Sequence, residues 1–381
     1  MKISLPKIAK VESSVYRTPI ETPVRTSFGV MRDRPAVLVR VEDVDGAVGW
    51  GEAWCNFPSN GAEYRARLIN AVLAPILVGH TWDHPAHAFR HLTDRLKILA
   101  LQAGEPGPVA QAIAGIDIAL WDLAGRRAGL PLWRLLGGDH GDAVAVYASG
   151  LNPDPEQAVA LASVRYAEGY RAFKLKVGFG RERDLGNLRT LREALGPDTI
   201  LMVDANQAWD REQAIAMSQV MDRFALEWLE EPIPADSPLE SWTQLAAQSP
   251  VPLAGGENLR DEAFDRMIAS GVLQVIQPDI AKWGGFSGCF PLARKIIAAG
   301  RRYCPHCLGG GISLIASAHL LAAAGGDGFL EVDANPNPLR AGLAVPFPHP
   351  QNGYMKVPDT PGLGVDPDVE ALRGYQVENL L

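Results

Sequence analysis

Over residues 1–60, apolar and polar positions alternate in short runs broken by turn residues. Ala36-Val37-Leu38-Val39-Arg40-Val41, then Asp45-Gly46, then Ala47-Val48-Gly49-Trp50-Gly51-Glu52 predicts two strands of a hairpin. Residues 62–135 change to a helical pattern; the stretch from Pro108 to Gly129 is apolar on most faces, so that helix is expected to be buried. Near Ala143 the pattern changes again: a short apolar run is followed by a polar-faced helical segment, eight times over. The runs are Ala143–Ser149, Ala172–Val177, Ile200–Asn206, Leu226–Glu230, Val251–Glu257, Leu273–Asp279, Arg301–His306 and Gly328–Val332. Strands alternating with helices imply parallel βαβ units, and eight of them fit an α/β fold, the (β/α)8 barrel. The expected organisation is an N-terminal α+β capping domain over 1–135, a barrel over 143–342, and a Pro- and Gly-rich tail over 346–381 that packs back on the cap and completes it.

Composition narrows the function class. The chain has 381 residues, 47% of them hydrophobic, and a net charge of −8. This is an ordinary globular composition without the basic face that nucleic acid requires. Met1–Ala9 carries two lysines but no apolar core behind them, and Ile315–Gly325 is too short to span a bilayer. Four cysteines make no disulfide scaffold, so a cytoplasmic protein without nucleic-acid or membrane partners is expected.

The ionisable residues arrive once per unit. Apolar strands two to eight end at Lys176, Asp204, Glu230, Glu257, Asp279, His306 and Glu331, in steps of 28, 26, 27, 22, 27 and 25 residues. That spacing places all seven at one rim, the C-terminal face where barrel enzymes keep their active sites. Helix capping does not explain the series, because Lys and His do not cap helix N-termini. Asp204, Glu230 and Glu257 come from three neighbouring strands, and three hard oxygen donors suit Mg²⁺. Lys174 and Lys176 lie two apart on one strand and share a face; their mutual repulsion is expected to lower a pKa and prepare a general base. Asp279 and His306 suggest a second acid/base pair, the carboxylate fixing the imidazole tautomer. Glu331 could donate a hydrogen bond to a substrate oxygen if its surroundings keep it protonated.

These residues, in the order Lys174-x-Lys176, Asp204-x-Asn206, Trp228-Leu229-Glu230-Glu231-Pro232, Gly256-Glu257-Asn258, Pro278-Asp279-x-x-Lys282-x-Gly284-Gly285, His306 and Glu331, resemble the enolase superfamily. Within it they resemble the mandelate racemase-like group of the mandelate racemase/muconate lactonizing enzyme family. The likeness extends to Gly115-Ile116-Asp117-Ile118-Ala119-Leu120-Trp121-Asp122 and to Pro361-Gly362-Leu363-Gly364. The resemblance implies Mg²⁺ on Asp204, Glu230 and Glu257. It implies Lys176 as one acid/base, with Lys174 tuning it and contacting the substrate carboxylate, and His306 oriented by Asp279 as the other. Glu331 would stabilise the enolate oxygen and Asn206 would touch a substrate hydroxyl. A muconate-cycloisomerase pattern would carry a lysine at position 279, which disfavours that subgroup. Cap loops near Thr26–Arg32 and Trp54–Ser59 would close over a small carboxylate, an acid sugar, and the protein would be a homo-oligomer.

Proton removal beside a carboxylate can end in dehydration, racemisation or cycloisomerisation. Acid-sugar dehydration is the expectation. A racemase or epimerase of a 2-hydroxy acid stays open, and so does a sugar-lactone cycloisomerase, which the segment Asn335-Pro336-Asn337-Pro338-Leu339-Arg340 resembles. Three competing signals are weighed against this reading. Cys304-Pro305-His306-Cys307 is a CxxC and by itself suggests a redox protein, but it ends a strand where a redox motif opens a helix. His84, His87 and His91 lie at helical spacing and could bind a metal, or form a solvated face. A non-catalytic acid-sugar binder would show departures from the motif set, and none is found.

Overall fold

A computed structural model of the chain describes residues 3–139 and 141–378. Met1 and Lys2 of the N-terminal segment and the last three residues of the tail lie outside the described residues. The first three strands, β1 (Ile8–Arg25), β2 (Val30–Asp43) and β3 (Val48–Ala53), form an antiparallel sheet in the order β1-β2-β3. The expected hairpin is β2–β3, with Val41 opposite Gly49 and Leu38 opposite Glu52. One face of the sheet packs on the helix Pro106–Ala128, sixteen of whose residues are buried. Glycine sets that distance: a Cβ at Gly51 would lie 2.0 Å from the Gly115 carbonyl oxygen. No larger residue permits so close an approach of strand to helix.

The eight predicted strands all form: β4 (Ala143–Leu151), β5 (Ala172–Lys176), β6 (Ile200–Asp204), β7 (Leu229–Glu230), β8 (Leu253–Gly255), β9 (Val275–Ile276), β10 (Arg302–Tyr303) and β11 (Phe329–Asp333). They pair in parallel in the order β10-β9-β8-β7-β6-β5-β4-β11, with helices between successive strands. This is a (β/α)8 barrel. Among the described residues no β10–β11 ladder closes it. Instead the Phe329 N–H donates to Cys304 Sγ at 3.3 Å, and Gly328 lies so close that a Cβ would stand 1.9 Å from the Tyr303 carbonyl oxygen. The tail adds a strand absent from the sequence reading, β12 (Tyr354–Lys356), antiparallel to β4. Further along, the tail reaches the cap: the Leu363 N–H donates to Asp122 at 2.7 Å and the Val377 N–H to the Val15 carbonyl at 2.8 Å.

Strand alternation organises the barrel interior. Tyr147, Ala172, Met202, Trp228, Ala254, Val275 and Cys304 form a buried floor, with Phe329 packed against it. The Tyr147 and Trp228 rings meet edge to face at 5.4 Å. Two residues further along each strand, the same inward face carries Ser149, Lys174, Asp204, Glu230, Gly256, Gln277, His306 and Glu331. An apolar layer thus seals the base, and a polar ring stands directly above it.

Among the described residues no helix is long and apolar enough to cross a membrane. The two competing metal and redox signals resolve into structure. Pro85 opens the helix Pro85–Ala103, so His84 precedes it and caps it, its Nδ1 accepting the Ala86 N–H at 3.1 Å. All four cysteines are free and buried, and burial pushes the Cys304 thiol up to about 12. A thiol so rarely ionised is a poor nucleophile for disulfide chemistry.

Candidate active site

The ladder β5–β6–β7 sets Lys176 beside Asp204 and Asp204 beside Glu230. Lys176 Nζ donates to Asp204 Oδ2 at 2.6 Å. Lys174 Nζ is fully buried and donates to both Glu230 oxygens at 2.7 Å; Glu331 Oε1 stands 2.8 Å away and Asp204 Oδ2 3.8 Å away. Gln277 Nε2 and the Trp228 indole N–H also donate to Glu230, at 2.7 and 3.2 Å. On the far side of the mouth, His306 Nδ1 meets Asp279 Oδ2 at 2.7 Å, and its Nε2 faces Glu257. Glu257 leaves the strand alternation because Gly256 takes φ 137°, where a Cβ would lie 2.8 Å from the Gln277 amide nitrogen. Glu331 Oε2 accepts the Cys307 N–H at 3.0 Å and lies 3.8 Å from His306 Nε2. Asn206 donates its amide N–H and its Nδ2 to Asp204 at 2.8 and 3.1 Å, and its buried Oδ1 has no hydrogen-bond partner among the described residues. All nine residues expected at the site therefore belong to one connected network.

Two expectations are corrected. The mutual repulsion of Lys174 and Lys176 does not decide their protonation. Burial lowers the Lys174 pKa, but Glu230, Glu331 and Asp204 more than offset it, and it stands well above the ordinary value. Lys176 is likewise raised: burial and Lys174 lower it, and Asp204 outweighs both. Glu331 is not kept protonated. Burial raises it, yet Lys174 and His306 bring it down to about 2, so it is an ionised acceptor. Asp204, Glu230 and Glu257 occupy the same rim, and among the described residues no three His, Cys, Asp or Glu side chains form a group already spaced to hold a metal. Each of the three is turned onto a cation, namely Lys176, Lys174 or His306.

Two contributors escaped the sequence reading. Gln277 binds Glu230, and Ser149 donates to Glu331 at 2.5 Å. The available signal was their position two residues beyond the floor. The cap loops touch the rim. Ser27 Oγ donates to the Asn206 carbonyl at 2.6 Å, Asn56 Nδ2 to the Leu308 carbonyl at 2.7 Å, and the Trp54 ring covers the Lys282 ammonium at 4.8 Å.

Residues 157–372 match the family model described as enolase C-terminal domain-like, and residues 10–137 match the mandelate racemase / muconate lactonizing enzyme N-terminal domain. The chain belongs to the mandelate racemase/muconate lactonizing enzyme family of the enolase superfamily. It is accordingly an enzyme, a lyase or an isomerase. Among its relatives is a D-galactarolactone cycloisomerase of Agrobacterium fabrum, 32% identical over 386 residues, covering 97% of this chain and 99% of the relative. A crystal structure of a mandelate racemase/muconate lactonizing enzyme from Bordetella bronchiseptica RB50 superposes with a TM-score of 0.90 at 54% identity, covering 98% of this chain and 99% of that one. L-talarate/galactarate dehydratase of Salmonella typhimurium LT2, crystallised with Mg and L-lyxarohydroxamate, superposes with a TM-score of 0.85 at 30% identity over 97% of this chain and 93% of its own.

Proposed function

We propose that this family member removes the proton alpha to the carboxylate of an acid sugar and expels the β-hydroxyl, a dehydration that yields a 2-keto-3-deoxy acid. The observation that carries the reading is the opposition of two proton-handling groups, Lys176 on β5 and His306 after β10, across one sealed and charged barrel mouth.

The charge balance of that mouth supports a divalent cation. Asp204, Glu230, Glu231, Glu257, Asp279 and Glu331 are six carboxylates facing four cationic groups, Lys174, Lys176, Lys282 and His306. Two negative charges are left over. Burial, with neighbouring carboxylates, pushes Glu230 up to about 7 and Glu231 up to about 8. An all-oxygen donor set short of two positive charges fits Mg²⁺. Asp204, Glu230 and Glu257 would hold Mg²⁺, which would supply positive charge beside the developing anion.

The protein's own residues do the rest. Asp204 holds Lys176 above the ordinary lysine value, while burial and Lys174 pull toward the neutral amine, the form that accepts a proton from the α-carbon. Asp279 holds His306 Nδ1, so Nε2 is the nitrogen presented to the mouth, where it can deliver a proton to a departing hydroxide. Breaking the α C–H bond and the β C–O bond leaves an enol, which tautomerises to the keto acid. The unpartnered Asn206 Oδ1 suits a substrate hydroxyl donor. The Tyr147–Trp228 floor and the cap loops keep water from the charged centre.

The test is a panel of aldonic and aldaric acids with Mg²⁺, scored for 2-keto acid, with Lys176→Ala and His306→Asn beside the parent. Parent turnover on at least one acid, reduced about 10²–10⁴-fold in each variant, is expected. Absence of turnover across the panel, or full activity in both variants, overturns the reading. Sugar-lactone cycloisomerisation is the second reading, favoured by the whole-length likeness to a cycloisomerase. It would convert a lactone to an isomer of equal mass and leave the keto assay silent.

A further inference from the structure

We infer that Glu52, on the cap strand β3, is a positioning residue for His306. It is 1% exposed, and the charge of Asp279, the partner of His306, reaches it. Its carboxylate crosses the cap–barrel junction: Oε1 accepts the Gly310 N–H and Oε2 accepts the Ser313 N–H at 3.0 Å. These are amides at the start of the barrel helix Gly311–Ala324, which no side chain of its own N-cap satisfies. The run Gly309-Gly310-Gly311 makes the approach possible. A Cβ at Gly309 or Gly310 would stand 2.9 Å from Glu52 Oε1.

His306 lies four residues before Gly310. Asn56 grips the same loop through the Leu308 carbonyl at 2.7 Å. On the neighbouring loop the Trp54 N–H donates to the Ala281 carbonyl at 3.2 Å, while Asp279 Oδ1 accepts the Ala281 and Lys282 N–H groups at 2.8 and 3.1 Å. The stretch Glu52–Asn56 therefore clamps both loops whose side chains make the 2.7 Å His306–Asp279 contact. The barrel strands β9 and β10 beneath them share a ladder of only two residues, a short foundation for that contact. The cap supplies what the sheet does not.

The kinetic consequence rests on the proposed role of His306; the geometric one does not. The experiment therefore has two arms, on the full chain as Glu52→Gln, Asn56→Ala, His306→Asn and Glu52→Gln/His306→Asn. In the first arm, proton NMR follows the low-field ring N–H of His306, identified by its loss in His306→Asn, with buried His319 as the internal reference. The His306 signal should shift or vanish in Glu52→Gln, and shift less in Asn56→Ala, while His319 stays in place. In the second arm, kcat for keto-acid formation should fall about 10²-fold in Glu52→Gln with little change in KM, and the double variant should be no slower than His306→Asn. Asn56→Ala decides the matter if Glu52→Gln does not fold. An unmoved His306 signal in the folded variants overturns the inference, as do losses that multiply in the double variant. A parent enzyme inert on every acid sugar, with the His306 signal still responding to Glu52→Gln, refutes the proposed function and leaves the positioning role standing.

Discussion

His319 offers a stability prediction whose sign and size follow from its contacts. Its imidazole is fully buried in the helix Gly311–Ala324. Nδ1 accepts the Trp133 N–H at 3.2 Å and Nε2 meets the Leu363 carbonyl at 2.9 Å. One neutral ring thereby joins the end of the cap, a barrel helix and the tail. Protonation would place a second N–H against that of Trp133. Burial accordingly lowers the His319 pKa to about 4 from 6.5, with the Leu363 hydrogen bond pulling weakly the other way. The unfolded chain binds this proton more readily than the folded one, so stability is full above pH 6.5 and falls as the pH drops toward 4. At about 1.4 kcal/mol per pH unit the whole effect is roughly 3 kcal/mol, of which about 2 is reached at pH 5.

Two buried aspartates act in the opposite sense. Burial pushes Asp117 up to about 7 and Asp122 up to about 6, against the hydrogen bonds and the Arg126 charge that favour ionisation. The folded state takes up their protons first, so their contribution to stability rises as the pH falls through that window. The bare pH profile therefore mixes both signs, and the difference between parent and His319→Gln isolates one. Urea denaturation at pH 7.5 and pH 5.0 should show the parent's advantage over the variant shrinking by about 2 kcal/mol. An advantage that stays constant across that range refutes the reasoning, because it would mean the ring does not titrate differently on folding.

Two further outcomes follow from buried charge. Arg34→Met removes the buried partner of Asp333, on β11, and leaves it the Asn335 hydrogen bonds and a longer ion pair with Arg340 at 3.9 Å; a loss of about 3 kcal/mol in urea denaturation is expected, and a loss below about 1 kcal/mol would show that Arg340 and Asn335 suffice for the carboxylate. Mg²⁺ at about a hundred times its Kd should stabilise the parent by about 2.7 kcal/mol and Glu257→Gln by much less; a parent melting temperature indifferent to saturating Mg²⁺ would contradict the charge balance of the mouth.

Each of these effects depends on groups that meet from distant parts of the chain, and this is where sequence reading stops. All eight barrel strands were legible as apolar runs; seven of them carry an ionisable group at the end, and the step between runs fixes the rim at which that group emerges. The ladders are shorter than the runs: Leu226–Glu230 pairs only at Leu229 and Glu230, since a run records burial whereas a ladder records backbone pairing. Glu52 and Asp117 had no local signature. Their partners, the amides that open two barrel helices, lie 258 and 170 residues away.

Protonation was illegible for the same reason. Counting along one strand pairs Lys174 with Lys176 and predicts repulsion. Counting around the ring pairs Lys174 with Glu230 and Glu331, and attraction wins. Glu230 and Glu231 show the limit most sharply. Alternation sends one of two adjacent residues into the mouth, but a positive φ of 39° at Glu231 breaks the alternation, and both are buried within reach of Asp204. One of the two excess charges that support a divalent cation thus comes from a backbone turn that side-chain periodicity does not encode. Which strand carries a group is a property of the sequence; whether the group carries a charge is a property of the ring it joins.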